Sequence, residues 1–109
     1  MTPTLYLAQR LSAVILAAAV LVHIATVVYA AQGGLTAGEI LARTKGNTGF
    51  FAFYTTFALA AAVHAPIGLR SVLREWTDWR GRSLDISLIA FACLIAVMGV
   101  RAAVGVYAA

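Results

Sequence analysis

Three long stretches almost free of charge leave this chain few ways to fold. Leu11 to Ala31 runs for 21 residues and Gly46 to Leu69 for 24 without Asp, Glu, Lys or Arg, and a third stretch, Ile86 to Tyr107, is broken only by Arg101. A helix needs about 20 apolar residues to cross a hydrocarbon core of ~30 Å, so each stretch is long enough. Lipid offers the backbone no hydrogen bonds, and three strands cannot close a barrel, so the spans must be helices. The expectation is an all-α integral membrane protein, a single domain over 1–109 with spans at about 11–31, 49–70 and 86–107. Composition agrees: 62% of residues are hydrophobic and 11% charged, against about 45–50% and about 25% in soluble domains. Disorder needs few apolar residues, and a disulfide scaffold needs more than the single Cys93. A cleaved signal peptide is the rival reading of the first stretch. Its apolar core exceeds the usual length of about 7–15 residues and contains His23, which argues against cleavage.

The formal charge of +4 sits at the ends of the apolar runs, which is a membrane pattern and not a nucleic-acid one. Arg10, Arg70, Arg74, Arg80 and Arg82 fall on one side, and Arg43, Lys45 and Arg101 on the other. The positive-inside bias then places the N-terminus in the cytoplasm. Tyr6, Trp76 and Trp79 would mark the inner interface, and Tyr29, Tyr54 and Tyr107 the outer one. In the first loop, Thr36 followed by Glu39 has the spacing of a capping box, which predicts a short interfacial helix. There is no repeat, no phosphate-binding glycine loop and no Ser-His-Asp set. Any chemistry falls to the polar residues of the spans.

Ionisable residues are costly in a membrane and are retained for function. His64 shares its helical face with Phe57, Ala60, Ala61, Gly68 and Ser71, mostly small residues. A flat cofactor lying against the helix suits that groove. So does a helix-packing seam with a hydrogen-bonded histidine, and spacing does not choose between them. His23 in the first span has Ser12, Leu16 and Ala19 on its face. Pro66 removes the hydrogen bond to the Ala62 carbonyl and is expected to bend the second helix near His64. Neutral imidazole binds iron well, and two axial histidines from separate helices hold a haem in a bundle.

The segment His64-Ala-Pro-Ile-Gly68-Leu-Arg70, followed by Glu75 and Trp76, resembles the second span of the cytochrome b membrane-anchor subunit of succinate dehydrogenase. Gln9-Arg10-Leu11-Ser12-Ala13 resembles that family's N-terminal signature, in which His-Arg-x-Ser-Gly is common. The three-span plan and the chain length match as well. The resemblance implies that His64 is an axial ligand of haem b and that Arg10 and Ser12 lie at the cytoplasmic mouth, near the ubiquinone pocket and a haem propionate. It implies that Arg70 and Glu75 face the iron–sulfur subunit. Arg70 is also available to hold a quinone carbonyl. Three residues depart from the family pattern. Gln9 stands where histidine is common, Ala13 where glycine is usual, and Tyr6 where a quinone-site serine is often found.

His23 resembles a different branch, the di-haem anchors, and makes a second haem possible. Along the helices His23 lies ~20 Å from Arg10, while His64 lies ~9 Å from Arg70. If those arginines share an interface, the histidines differ in depth by roughly 10 Å. Two nitrogens on one iron are only about 4 Å apart, given metal–imidazole bonds of about 2 Å. His23 and His64 therefore do not suit a single iron. Arg101 either snorkels to the outer interface or pairs with a propionate of a haem near His23.

The resulting expectation is a haem b-binding anchor of a succinate dehydrogenase or fumarate reductase that contributes to reduction of a quinone, ubiquinone or menaquinone. Its partners would be flavoprotein and iron–sulfur subunits and a second membrane anchor that supplies the other axial histidine. The chain would then be half of a heterodimeric helical bundle. The expected location is the bacterial cytoplasmic (inner) membrane, and the small stripe of Ala60, Ala61 and Gly68 would offer the second anchor a surface. Two other readings stay open: a non-catalytic packing or assembly protein without haem, and a haem b subunit of another quinone-linked oxidoreductase.

Overall fold

The computed structural model describes residues 2–109. It is 88% helical with no strand among the described residues. Helix α1 spans Pro3–Gly33, the short α2 spans Ala37–Thr44, α3 spans Thr48–Trp76 and α4 spans Arg82–Ala108. At 1.5 Å per residue α1 is about 46 Å long, which accounts for the 48 Å long axis of the molecule. Helices α1, α3 and α4 are each long and apolar enough to cross a membrane. Each also runs beyond its uncharged stretch. Arg10, Arg70 and Arg74 continue the helices past their apolar segments, because backbone hydrogen bonding does not stop where hydrocarbon would.

Local chemistry sets the helix starts. Thr2 caps α1 by accepting from the Leu5 N–H at 3.2 Å, with Pro3 at the first helical position. Thr36 caps the expected short helix α2 by accepting from the Glu39 N–H at 3.2 Å. Only this half of the capping box forms. The Glu39 carboxylate instead packs against Gly34, whose φ of 109° and missing Cβ leave the space it occupies. Asn47 caps α3 through the Phe50 N–H at 3.0 Å. Helix α3 continues unbroken through Pro66.

Helix α3 is the middle helix: it packs against both α1 and α4, which hardly meet each other. Small residues bring α3 and α4 together. A Cβ added to Gly99 would lie 2.5 Å from the Ala58 Cβ; Ala62 and Ala103, one turn along their helices, are buried, as are Leu84 and Leu88 towards the other end of α4. At one end the loop before α3 is tied to the end of α4. The Thr44 hydroxyl donates to the Val106 carbonyl at 3.0 Å and the Gly46 N–H to the Tyr107 carbonyl at 2.9 Å. These bonds satisfy carbonyls that a helix end leaves without partners. Gly46 adopts φ 70° at this turn, in the left-handed region. The isolated chain leaves most of its apolar surface open, since only 11%, 17% and 6% of the apolar windows of α1, α3 and α4 are buried. That surface calls for lipid or other helices.

Candidate functional site

Helices α1 and α3 run antiparallel in a register that two side-chain pairs define. Ser12, on the buried face of α1, lies 3.4 Å from Nδ1 of His64. Further along, His23 Nδ1 lies 2.7 Å from the Tyr54 hydroxyl. Ser12 is therefore level with His64, and His23 with Tyr54. Between these pairs lie 11 residues of α1 and 10 of α3, or about 15 Å of depth. The sequence-based offset of roughly 10 Å rested on two arginines sharing one level; the packed register widens it. No single iron could accept both histidines.

The first pair has a defined polarity. The Ser12 hydroxyl donates to the Gln9 carbonyl at 3.1 Å, so its oxygen lone pair is what faces His64. A hydrogen bond there requires the proton on His64 Nδ1, which leaves the Nε2 lone pair available. A partner holding the far ring nitrogen is how ligating histidines are generally oriented. Beside this pair, Gln9 lies against Gly68, with its Nε2 3.3 Å from where a Cβ would stand, and Gln9 Oε1 is buried without a hydrogen-bond partner. The small stripe is partly used by the chain itself: Ala60 is only 7% exposed and Gly68 receives Gln9. That is less open surface for another anchor than the sequence suggested. Ala61 lines a separate groove around His23.

The residues expected to share a quinone pocket point to different places. Ser12 is buried under His64. Arg10 is exposed, with its guanidinium 5.8 Å from the centre of the Tyr6 ring. Arg70 turns towards α4, where its Nε donates to Asp85 Oδ1 at 3.3 Å. The Arg70–Asp85 pair lines a groove of about 500 Å³ with Leu5, Pro66 and Leu88, which Arg10 and Ser12 do not enter. This chain alone does not assemble the three.

His23 sits among aromatic rings, edge-on to both Tyr54 and Phe57 at 5.6 Å. It lines a groove of about 660 Å³ between α1, α3 and α4, roofed by Leu35, Ile40 and Arg43. The arginine of this groove is Arg43, while Arg101 is exposed on the outer side of α4, about 10 Å before the helix end. Sequence reasoning missed Tyr54, Asp85 and Arg43 as partners. A signal for Tyr54 was present: once Ser12 is set against His64, antiparallel counting brings residue 23 opposite residue 53 or 54.

Among the described residues no three His, Cys, Asp or Glu side chains converge, so protein ligands alone form no metal centre. A porphyrin iron asks less, since it needs only one or two axial ligands, and His64 with Ser12 behind it fits one of them. Comparison with protein-family models, with curated proteins and with solved structures finds no match to this chain.

Proposed function

We propose that this chain is a haem b-binding membrane anchor of a succinate:quinone oxidoreductase. It would lie in the bacterial cytoplasmic membrane with its N-terminus in the cytoplasm and hold flavoprotein and iron–sulfur subunits there. One observation carries the reading. The two segments that resemble the family, residues 9–13 and 64–70, lie far apart in sequence yet pack face to face, with Ser12 against His64 and Gln9 against Gly68. In this reading Ser12 holds the imidazole in the tautomer that presents Nε2, and His64 supplies one axial nitrogen. Haem, when bound, carries single electrons. The other axial histidine comes from a second anchor chain, because His23 lies about 15 Å away in depth. Arg10 at the same end of α1 supplies positive charge near the mouth.

The test is a reduced-minus-oxidised spectrum of the complex, coexpressed with its partner subunits. The wild type should show the sharp α-band of a low-spin haem. His64→Ala should remove it, and His23→Ala should leave it or remove a second, distinct band. Ser12→Ala should keep the band but weaken haem retention by about 10–100-fold, the usual cost of losing a partner behind a ligand. A His23 change that abolishes a lone haem while His64→Ala spares it would overturn the assignment. The use of Ala60 and Gly68 within the chain favours a second reading, a non-catalytic packing protein. A complex without any α-band would establish that one instead.

A further inference from the structure

Arginines near a helix end differ in how easily they reach water, because helical side chains lean towards the helix N-terminus. Arg10 stands seven residues after Pro3, the start of α1, so its lean carries it towards the near interface. Arg70 stands six residues before Trp76, the end of α3, and leans deeper; Asp85 meets it there at 3.3 Å. Arg101 stands seven residues before Ala108, the end of α4, and its lean is also inward. Lys45 and the turn tied to Val106 and Tyr107 mark the near end of the bundle, and Arg101 lies about 9 Å below Tyr107. Among the described residues Arg43, Arg70 and Arg80 find acceptors inside the chain, and Arg101 finds none.

Charged residues in a span almost always face the interior of a bundle and pair there. Arg101 faces away from this one. Gly99 of α4 meets Ala58 of α3, and Arg101, two residues on, is turned roughly 200° from it. We infer that this outward face of α4 is an interface, covered by a transmembrane helix of another chain that presents an Asp or Glu to Arg101. Leu94, Val97, Met98 and Val104 share the face and are 43–64% exposed, so the rest of the partner's contact surface is apolar. Gly105, one turn from Arg101, has nothing within 4 Å of where a Cβ would stand and lets that helix come close.

A second copy of this chain cannot supply the carboxylate. Its four acidic residues are Glu39, Glu75, Asp78 and Asp85. Glu75, Asp78 and Asp85 lie at the opposite end of the bundle, Asp85 about 24 Å along α4 from Arg101. Glu39 belongs to the short helix α2, with its carboxylate packed against Gly34. A copy inserted the same way round therefore offers no negative charge at this depth, and the partner is a different polypeptide.

The full chain, carrying a photoreactive amino acid at Met98 or Gly105, is crosslinked in the membrane of its own cell, and the adducts are sequenced by mass spectrometry. The adduct should be a peptide from a span of another chain with Asp or Glu within one turn of the crosslinked residue. Arg101→Leu should lower its yield about fivefold or more, the worth of one interhelical hydrogen bond in model peptides. Arg101→Lys, which keeps the charge, should retain it. Reversing both charges, Arg101→Glu here and arginine for the partner's carboxylate, should restore it. Adducts with lipid alone, which mean that Arg101 reaches a headgroup phosphate, would overturn the inference. So would adducts with a second copy alone, a partner span without a carboxylate, a yield unchanged in Arg101→Leu, or no adduct. Haem plays no part in this readout, so it stands or falls separately from the proposed function.

Discussion

Replacing Gly99 with alanine tests how α3 and α4 are held together. The added Cβ would stand 2.5 Å from the Ala58 Cβ and 3.5 Å from its Cα. Carbon atoms pack best at about 3.5–4.0 Å, so the new methyl is some 1–1.5 Å too close to the old one. Neither alanine has a rotamer that escapes, because both Cβ atoms belong to their backbones. The helices must separate, or α4 must slide, and the contacts of Ala62, Leu88 and Ala103 along the same seam weaken with them. Overpacking of this kind costs about 1–3 kcal/mol. The assay is equilibrium unfolding of the purified chain by dodecyl sulfate in mixed micelles, read by a probe of α3–α4 proximity. Gly99→Ala should lose stability in that range. Adding Ala58→Gly removes the opposing methyl, and the surviving contact to Cα is tolerable, so the double variant should recover most of the loss. The coupling between the two changes should be favourable and at least about 0.5 kcal/mol. A Gly99→Ala variant as stable as the wild type, or a pair of changes that merely add, would refute close approach at this crossing.

Two further outcomes follow from the geometry. Thr44→Val keeps the shape of a buried residue but removes its bond to the Val106 carbonyl, so it should cost about 1 kcal/mol and speed amide hydrogen exchange in the turn and in the last residues of α4. Asp85→Asn removes the charge facing Arg70 on side chains that are 26% and 55% exposed; the loss should stay within about 0.2–1 kcal/mol and shrink as salt is added in the same unfolding assay.

The helices themselves were legible in the sequence, because their causes are local. Each uncharged stretch was long enough to span, and in lipid a backbone of that length has no alternative to a helix. The Thr36–Glu39 spacing likewise announced α2, although the glutamate folds against Gly34 instead of closing the box. Helix limits were less legible, since Arg10 and Arg74 continue helices whose apolar runs have already ended. The chemistry of single residues also showed: His64, His23 and Ser12 stand out because polar groups are scarce in these spans. Which faces meet was decided only by tertiary structure. Helix α1 has only a sparse polar stripe, Ser12, His23 and Thr26, too few groups to say which residues of α3 they meet, and lipid does not drive one apolar face to be buried over another. The choice falls to close packing of small residues and to a few polar pairs. Those brought Ser12 to His64, His23 to Tyr54 and Arg70 to Asp85, and left Arg101 on the outer side of α4, away from the groove that Arg43 lines.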